Sequence, residues 1–89
     1  MRMRTALGEV IREIRLEQGR TLRDVSKRVP MALGYLSEIE RGQKDVSSEI
    51  LENLAVALRV PTYQLIIEAG YLMGGTPSFV PVELELERV

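Results

Sequence analysis

At 89 residues, the chain has room for one compact domain and a short appendage, not for two independent cores. It contains no cysteine and no histidine, which excludes disulfides and thiolate metal sites and removes both the commonest general base and the commonest metal ligand. The net charge of −1 hides an asymmetry: residues 1–44 sum to +4 and residues 45–89 to −5, so the first half has the charge for a phosphate-binding surface, the alternative being an asymmetry that arises by chance in a short chain.

The basic half carries Arg2, Arg4, Arg12, Arg15, Arg20, Arg23, Lys27, Arg28, Arg41 and Lys44. Aromatic residues are too few for a single-strand binder built on stacked bases. No apolar run approaches the roughly 20 residues that span a bilayer, and no apolar signal-peptide core follows Met1-Arg2-Met3-Arg4. The expectation is a cytoplasmic protein without membrane association, cofactor or metal.

Leu7, Val10, Ile11 and Ile14 recur at helical spacing, with Glu9, Arg12, Glu13 and Glu17 on the other faces. This predicts a first amphipathic helix beginning after Thr5 and stopped by Gly19. Thr21 followed by Asp24 reads as a capping-box start for a short second helix with Leu22, Val25 and Val29 inward, ended by Pro30. A third short helix runs from Leu33 to Glu40, turns Leu36 and Ile39 inward and stops at Gly42.

Ser47 is the predicted N-cap of a fourth helix over residues 48–58, whose apolar stripe is Ile50, Leu51, Leu54, Ala55 and Leu58. Val60-Pro61 breaks it, Thr62 caps a fifth helix over residues 63–69, and Gly70 closes that one. The fold class is therefore all-α, five helices, with residues 1–70 as the domain and 71–89 as linker and C-terminal tail.

Gly74-Gly75-Thr76-Pro77-Ser78 has linker composition. Beyond it, Val80, Val82, Leu84 and Leu86 alternate with Pro81, Glu83, Glu85 and Glu87. Period two reads as a strand, and a lone strand needs a partner for its backbone groups. Three readings stand: a dimerisation strand pairing Val80, Val82, Leu84 and Leu86 with a second copy, a disordered segment, or a terminal helix.

Two short helices joined by a tight turn hold the third helix proud of the surface, where it fits a major groove. Leu33, Gly34, Tyr35, Ser37 and Glu38 are the positions the core does not claim. A glycine early in a helix costs about 1 kcal/mol against alanine, and a small residue there lets DNA come close. The competing readings are ordinary: Arg23, Lys27 and Arg28 as a solvated face, Tyr35 as a rim packer, Glu38 as a solvated anion. Glu13, Glu17 and Asp24 resemble a carboxylate cluster, but without a cleft they read as surface charge and not as a catalytic site.

Thr21-Leu22-Arg23-Asp24-Val25-Ser26, followed by Gly34-Tyr35-Leu36-Ser37-Glu38-Ile39-Glu40-Arg41-Gly42, resembles the lambda-repressor/Cro (XRE) helix-turn-helix family. The string from Gly34 to Gly42, with Ser47-Ser48-Glu49, is most like the actinobacterial regulators of Clp protease genes. The resemblance covers about residues 5–70 and implies a five-helix lambda-repressor-like DNA-binding domain. It implies base contacts from Leu33, Gly34, Ser37 and Glu38, and backbone contacts from Leu22, Arg23, Arg41, Gln43 and Lys44. It also implies a buried structural pair of Arg15 with Glu40. The chain departs from the family at Pro30-Met31-Ala32, since alanine stands where a Ser or Thr usually caps the recognition helix.

The sequence thus points to a non-enzymatic, homodimeric transcription regulator that binds double-stranded DNA at a pseudo-palindromic operator. The alternatives are an antitoxin that binds both DNA and a toxin protein, with the tail as the protein-partner element, and a protein-interaction domain that has lost DNA binding.

Overall fold

The computed structural model describes residues 1–74. Five helices follow in order: α1 (Met3–Glu17), α2 (Leu22–Ser26), α3 (Leu33–Glu40), α4 (Ser48–Leu58) and α5 (Thr62–Leu72). Helix α1 is the spine, packing against both α5 and α3; α2 leans on α3, and α4 on α5. The chain bends by 105° between α4 and α5.

The core is the sum of the apolar stripes. Val10, Ile11 and Ile14 from α1 meet Val25, Leu36 and Ile39 from the α2–α3 side, and Leu51, Leu54, Leu58, Leu65 and Ala69 from α4 and α5. Burying each large aliphatic side chain contributes about 1.5–3 kcal/mol, the main force holding short helices that would not persist alone.

Local chemistry sets the helix ends. Thr21 and Asp24 close a full capping box at α2: Thr21 N–H donates to Asp24 Oδ2 at 2.8 Å, and Asp24 N–H donates to Thr21 Oγ1 at 3.1 Å. The Ser47 hydroxyl accepts from the Ile50 amide at 3.1 Å and starts α4. At the other end of α4, Arg20 Nη1 donates to the Ala57 carbonyl at 2.7 Å and Gln18 Nε2 to the Leu58 carbonyl at 2.6 Å. A cation on the terminal carbonyls also suits the helix dipole.

Three boundaries differ from the sequence expectation. Helix α1 begins at Met3, ahead of Thr5. Helix α2 ends at Ser26, and residues 27–30 form turns that still carry Val29 into the core. Pro61 holds the N-cap position of α5 without a side-chain cap, Thr62 is the first helical residue, and the helix continues through Gly70 to Leu72. A glycine costs a helix only about 1 kcal/mol, which the packing of Leu65 and Ala69 overrides. The turn falls instead at Gly74, whose φ of +107° is open to glycine and strained for other residues. Val80, Val82, Leu84 and Leu86 lie outside the described residues, so the dimerisation-strand expectation lies outside them too.

No described helix is long and apolar enough to cross a membrane.

Candidate nucleic-acid interface

Two close approaches fix α3 against α1. A Cβ placed on Gly8 would lie 2.3 Å from the Ile39 carbonyl oxygen and 2.8 Å from that of Glu40, so only glycine lets the two backbones touch. Gly42, at φ +73°, faces Thr5 in the same way, with 3.0 Å from a would-be Cβ to Thr5 Cα. Arg15 adds a polar lock: its Nε and Nη2 donate to Glu40 Oε2 and Oε1 at 2.7 and 2.9 Å, and its Nη1 donates to the Arg20 carbonyl at 2.9 Å. Both side chains are buried, and the hydrogen bonds to Glu40 push the guanidinium pKa above its ordinary value, so Arg15 stays charged.

With Leu36, Ile39 and Glu40 turned inward, the opposite face of α3 is free. Leu33 and Gly34 are exposed on its first turn, while Ser37 and Glu38 are half-buried one turn later on the same side. Nothing lies within 4 Å of a Cβ built on Gly34. The fold itself therefore does not require glycine there. Tyr35 packs on the rim of the core, as does Leu22.

The end of α3 gathers several expected site residues into one group. Arg41 Nη1 donates to the Ser37 hydroxyl, Arg41 Nη2 donates to Gln43 Oε1 at 3.4 Å, and the Lys44 ammonium stands 3.9 Å from a Glu38 oxygen. Arg41, Gln43 and Lys44 are all exposed. Arg23 is exposed on α2, and no hydrogen bond or ion pair among the described residues joins it, or Leu22, to the α3 group.

The capping box occupies the amides of Thr21 and Asp24, leaving those of Leu22 and Arg23 without helical partners. The Thr21 backbone and hydroxyl hydrogen bonds, with Lys27 and Arg20 nearby, hold the Asp24 carboxyl below its usual pKa. Helix α3 starts at Ala32 with no side-chain cap, so its first amides also lack a protein partner.

Sequence reasoning missed three features. Gln18 and Arg20 cap α4, a role that counting Arg20 among the cations of the basic half does not show. Gly8, a mid-helix glycine with the same energetic signature as Gly34, marks the α1–α3 contact. An apolar face on α5 (Tyr63, Ile67 and Tyr71) is exposed, and so is Val56 on α4, which is 77% accessible. Among the described residues no group of acidic, Cys or His side chains is arranged to hold a metal.

A short helix-turn-helix with an outward second helix and cations at its end defines the class, and comparison with known proteins agrees. Residues 6–65 match the family described as a helix-turn-helix domain. Over 71 residues the chain is 49% identical to the transcriptional regulator ClgR of Mycobacterium tuberculosis, covering 80% of this chain and 63% of that protein. It superimposes on the crystal structure of the clp gene regulator ClgR from C. glutamicum with a TM-score of 0.79 and 41% identity, covering 82% of this chain and 95% of that one. The restriction-modification controller protein C.Esp1396I, solved as a tetramer with its natural 35 base-pair operator, matches with a TM-score of 0.69 and 29% identity over 78% of this chain and 96% of that one.

The chain belongs to the XRE-like helix-turn-helix family. It is similar to the ClgR regulators, and it spans 63% of the length of the first curated relatives it matches.

Proposed function

We propose that the protein is a sequence-specific transcription regulator that binds double-stranded DNA as a homodimer, each subunit laying α3 in a major groove of a pseudo-palindromic operator. The observation that carries this reading is the outward face of α3: Leu33, Gly34, Ser37 and Glu38 lie on one side of the helix, with Arg41, Gln43 and Lys44 at its end. Leu33 suits a thymine methyl, Ser37 retains a hydroxyl proton to donate, and Glu38 can accept from cytosine N4. Arg41 and Lys44 supply sequence-independent attraction to phosphates, as does Arg23 from α2.

The similarity to regulators whose names and structures refer to clp genes and to an operator supports this reading. Dimerisation is supported by the apolar face of Tyr63, Ile67 and Tyr71, three residues at i, i+4 and i+8 whose exposure is unusual for side chains of this size. A two-fold pair of this kind reads half-sites about 34 Å apart.

Selection of bound duplexes from a random pool tests the proposal. An inverted repeat with half-site centres one helical turn apart is expected; a pool that enriches nothing, or only a single unrepeated site, contradicts it.

A further inference from the structure

Two helices of this chain end in the same three-residue device. After α1 the run is Gln18-Gly19-Arg20, and after α3 it is Arg41-Gly42-Gln43, the same residue types in reverse order. Each central glycine is left-handed, at φ +67° and +73°. The backbone bonds also match. Gly19 and Arg20 N–H donate to the Leu16 and Arg15 carbonyls at 2.9 and 3.1 Å, and Gly42 and Gln43 N–H to those of Ile39 and Glu38 at 3.0 and 2.9 Å. In both turns the flanking side chains meet: Arg20 Nη1 donates to Gln18 Oε1 at 3.1 Å, and Arg41 Nη2 to Gln43 Oε1 at 3.4 Å.

The first occurrence shows what such a pair does. With its amide oxygen facing the arginine, Gln18 donates through Nε2 to the Leu58 carbonyl at 2.6 Å, while Arg20 donates to the Ala57 carbonyl at 2.7 Å. Two donors held in a fixed relation thereby grip two neighbouring oxygens. In the second occurrence the Ser37 hydroxyl also holds the arginine, and both Arg41 and Gln43 are exposed. Among the described residues neither of their side chains donates to a backbone oxygen.

We infer that Arg41 and Gln43 form a clamp for a single DNA phosphate, the guanidinium gripping one non-bridging oxygen and the Gln43 amide the other, an inference that rests on the DNA-binding reading above. A phosphodiester offers adjacent acceptor oxygens, as the end of α4 does, and adds the negative charge that a guanidinium favours. The groups that hold Arg41 are a hydroxyl and an amide oxygen, so its charge stays available. Lys44 stands near Glu38 and Arg4 near Asp45, each facing an anion instead. Fixing the guanidinium before DNA arrives also reduces the entropy lost on binding. Gln43 therefore has two tasks: its oxygen orients Arg41, and its N–H groups share the phosphate that Arg41 takes.

A phosphate scan of the selected duplex tests the clamp, each phosphate of a half-site being replaced in turn by a neutral methylphosphonate. One position is expected where the neutral group weakens the wild type but costs Arg41→Ala and Gln43→Met nothing further. Gln43→Met keeps the length and loses the amide. It should weaken selected and random duplexes alike by about tenfold, with an unchanged salt slope because no charge is removed. In the Arg41→Ala background the same change should cost less than about twofold, since the two side chains act as one unit. Different phosphates for the two variants, or losses that add, would overturn the clamp and leave DNA binding standing. A wild type that binds neither duplex would overturn the DNA-binding reading and the clamp with it.

Discussion

The Lys44 ammonium sits 3.9 Å from the Glu38 carboxylate, so an expected phosphate ligand and an expected base reader are paired with each other in the free protein. Both side chains are substantially exposed, at 52% and 38%, and such a pair is worth no more than about 1 kcal/mol. It can open at little cost when a phosphate competes for Lys44. Glu38→Gln keeps the shape and removes the anion. It is expected to bind random duplex several-fold more tightly while lowering the ratio of selected to random affinity, as measured by fluorescence anisotropy. An unchanged ratio would remove Glu38 from the base-reading set.

Ala32 begins α3 with extended backbone, φ −68° and ψ 146°, and no side-chain cap. Ala32→Ser supplies the missing acceptor and is expected to raise stability by about 0.5–2 kcal/mol. A urea midpoint shifted upward with an unchanged slope is the signature.

Much of this fold is legible in the chain because each helix carries a redundant code. The stripe of Leu51, Leu54 and Leu58, the Ser47 cap and the break at Val60-Pro61 all say the same thing about α4, and its bounds come out as read. Helix α5 shows where local reading fails. Gly70 looks like a stop, but the packing of Leu65 and Ala69 carries the helix past it. The outward residues of α3 can be read by subtraction from the core. The pairing of Glu38 with Lys44 cannot, because it depends on how the connector after Gly42 folds back. Arg20 misleads for the same reason: its partner carbonyl, that of Ala57, is 37 residues away in sequence, on α4.

The Arg15–Glu40 pair is buried and bidentate, tying the middle of α1 to the end of α3. Glu40→Ala strands a buried guanidinium and is expected to cost about 3–5 kcal/mol in chemical denaturation. Combining Glu40→Leu with Arg15→Met should recover most of that loss, because an apolar pair of similar volume removes both charges. A double variant no better than Glu40→Ala would show that the geometry of the pair, not the unpaired charge, holds α3.

Asp24 makes α2 sensitive to acid. Its carboxyl pKa is lowered in the folded protein by the Thr21 hydrogen bonds, so the folded state binds the proton less readily than the unfolded chain. Its contribution is therefore fully present above the unfolded value of about 3.9 and is lost as pH falls through the lower folded value. The melting-temperature difference between the wild type and Asp24→Ala should be constant from pH 7 to pH 5 and shrink below pH 4. A difference that grows on acidification would contradict the cap assignment.

The most direct test of the central claim is the salt dependence of DNA affinity for the wild type and Arg41→Ala, on a selected duplex and on a random one. The wild-type binding constant is expected to fall linearly in log salt on both, with a slope of about −0.9 for each phosphate neutralised. Arg41→Ala should weaken both duplexes by the same factor and make each slope shallower by about 0.9 per bound subunit. A binding constant indifferent to salt, or an Arg41→Ala protein that binds like the wild type, would contradict the placement of α3 in the groove with cations gripping the backbone at its end.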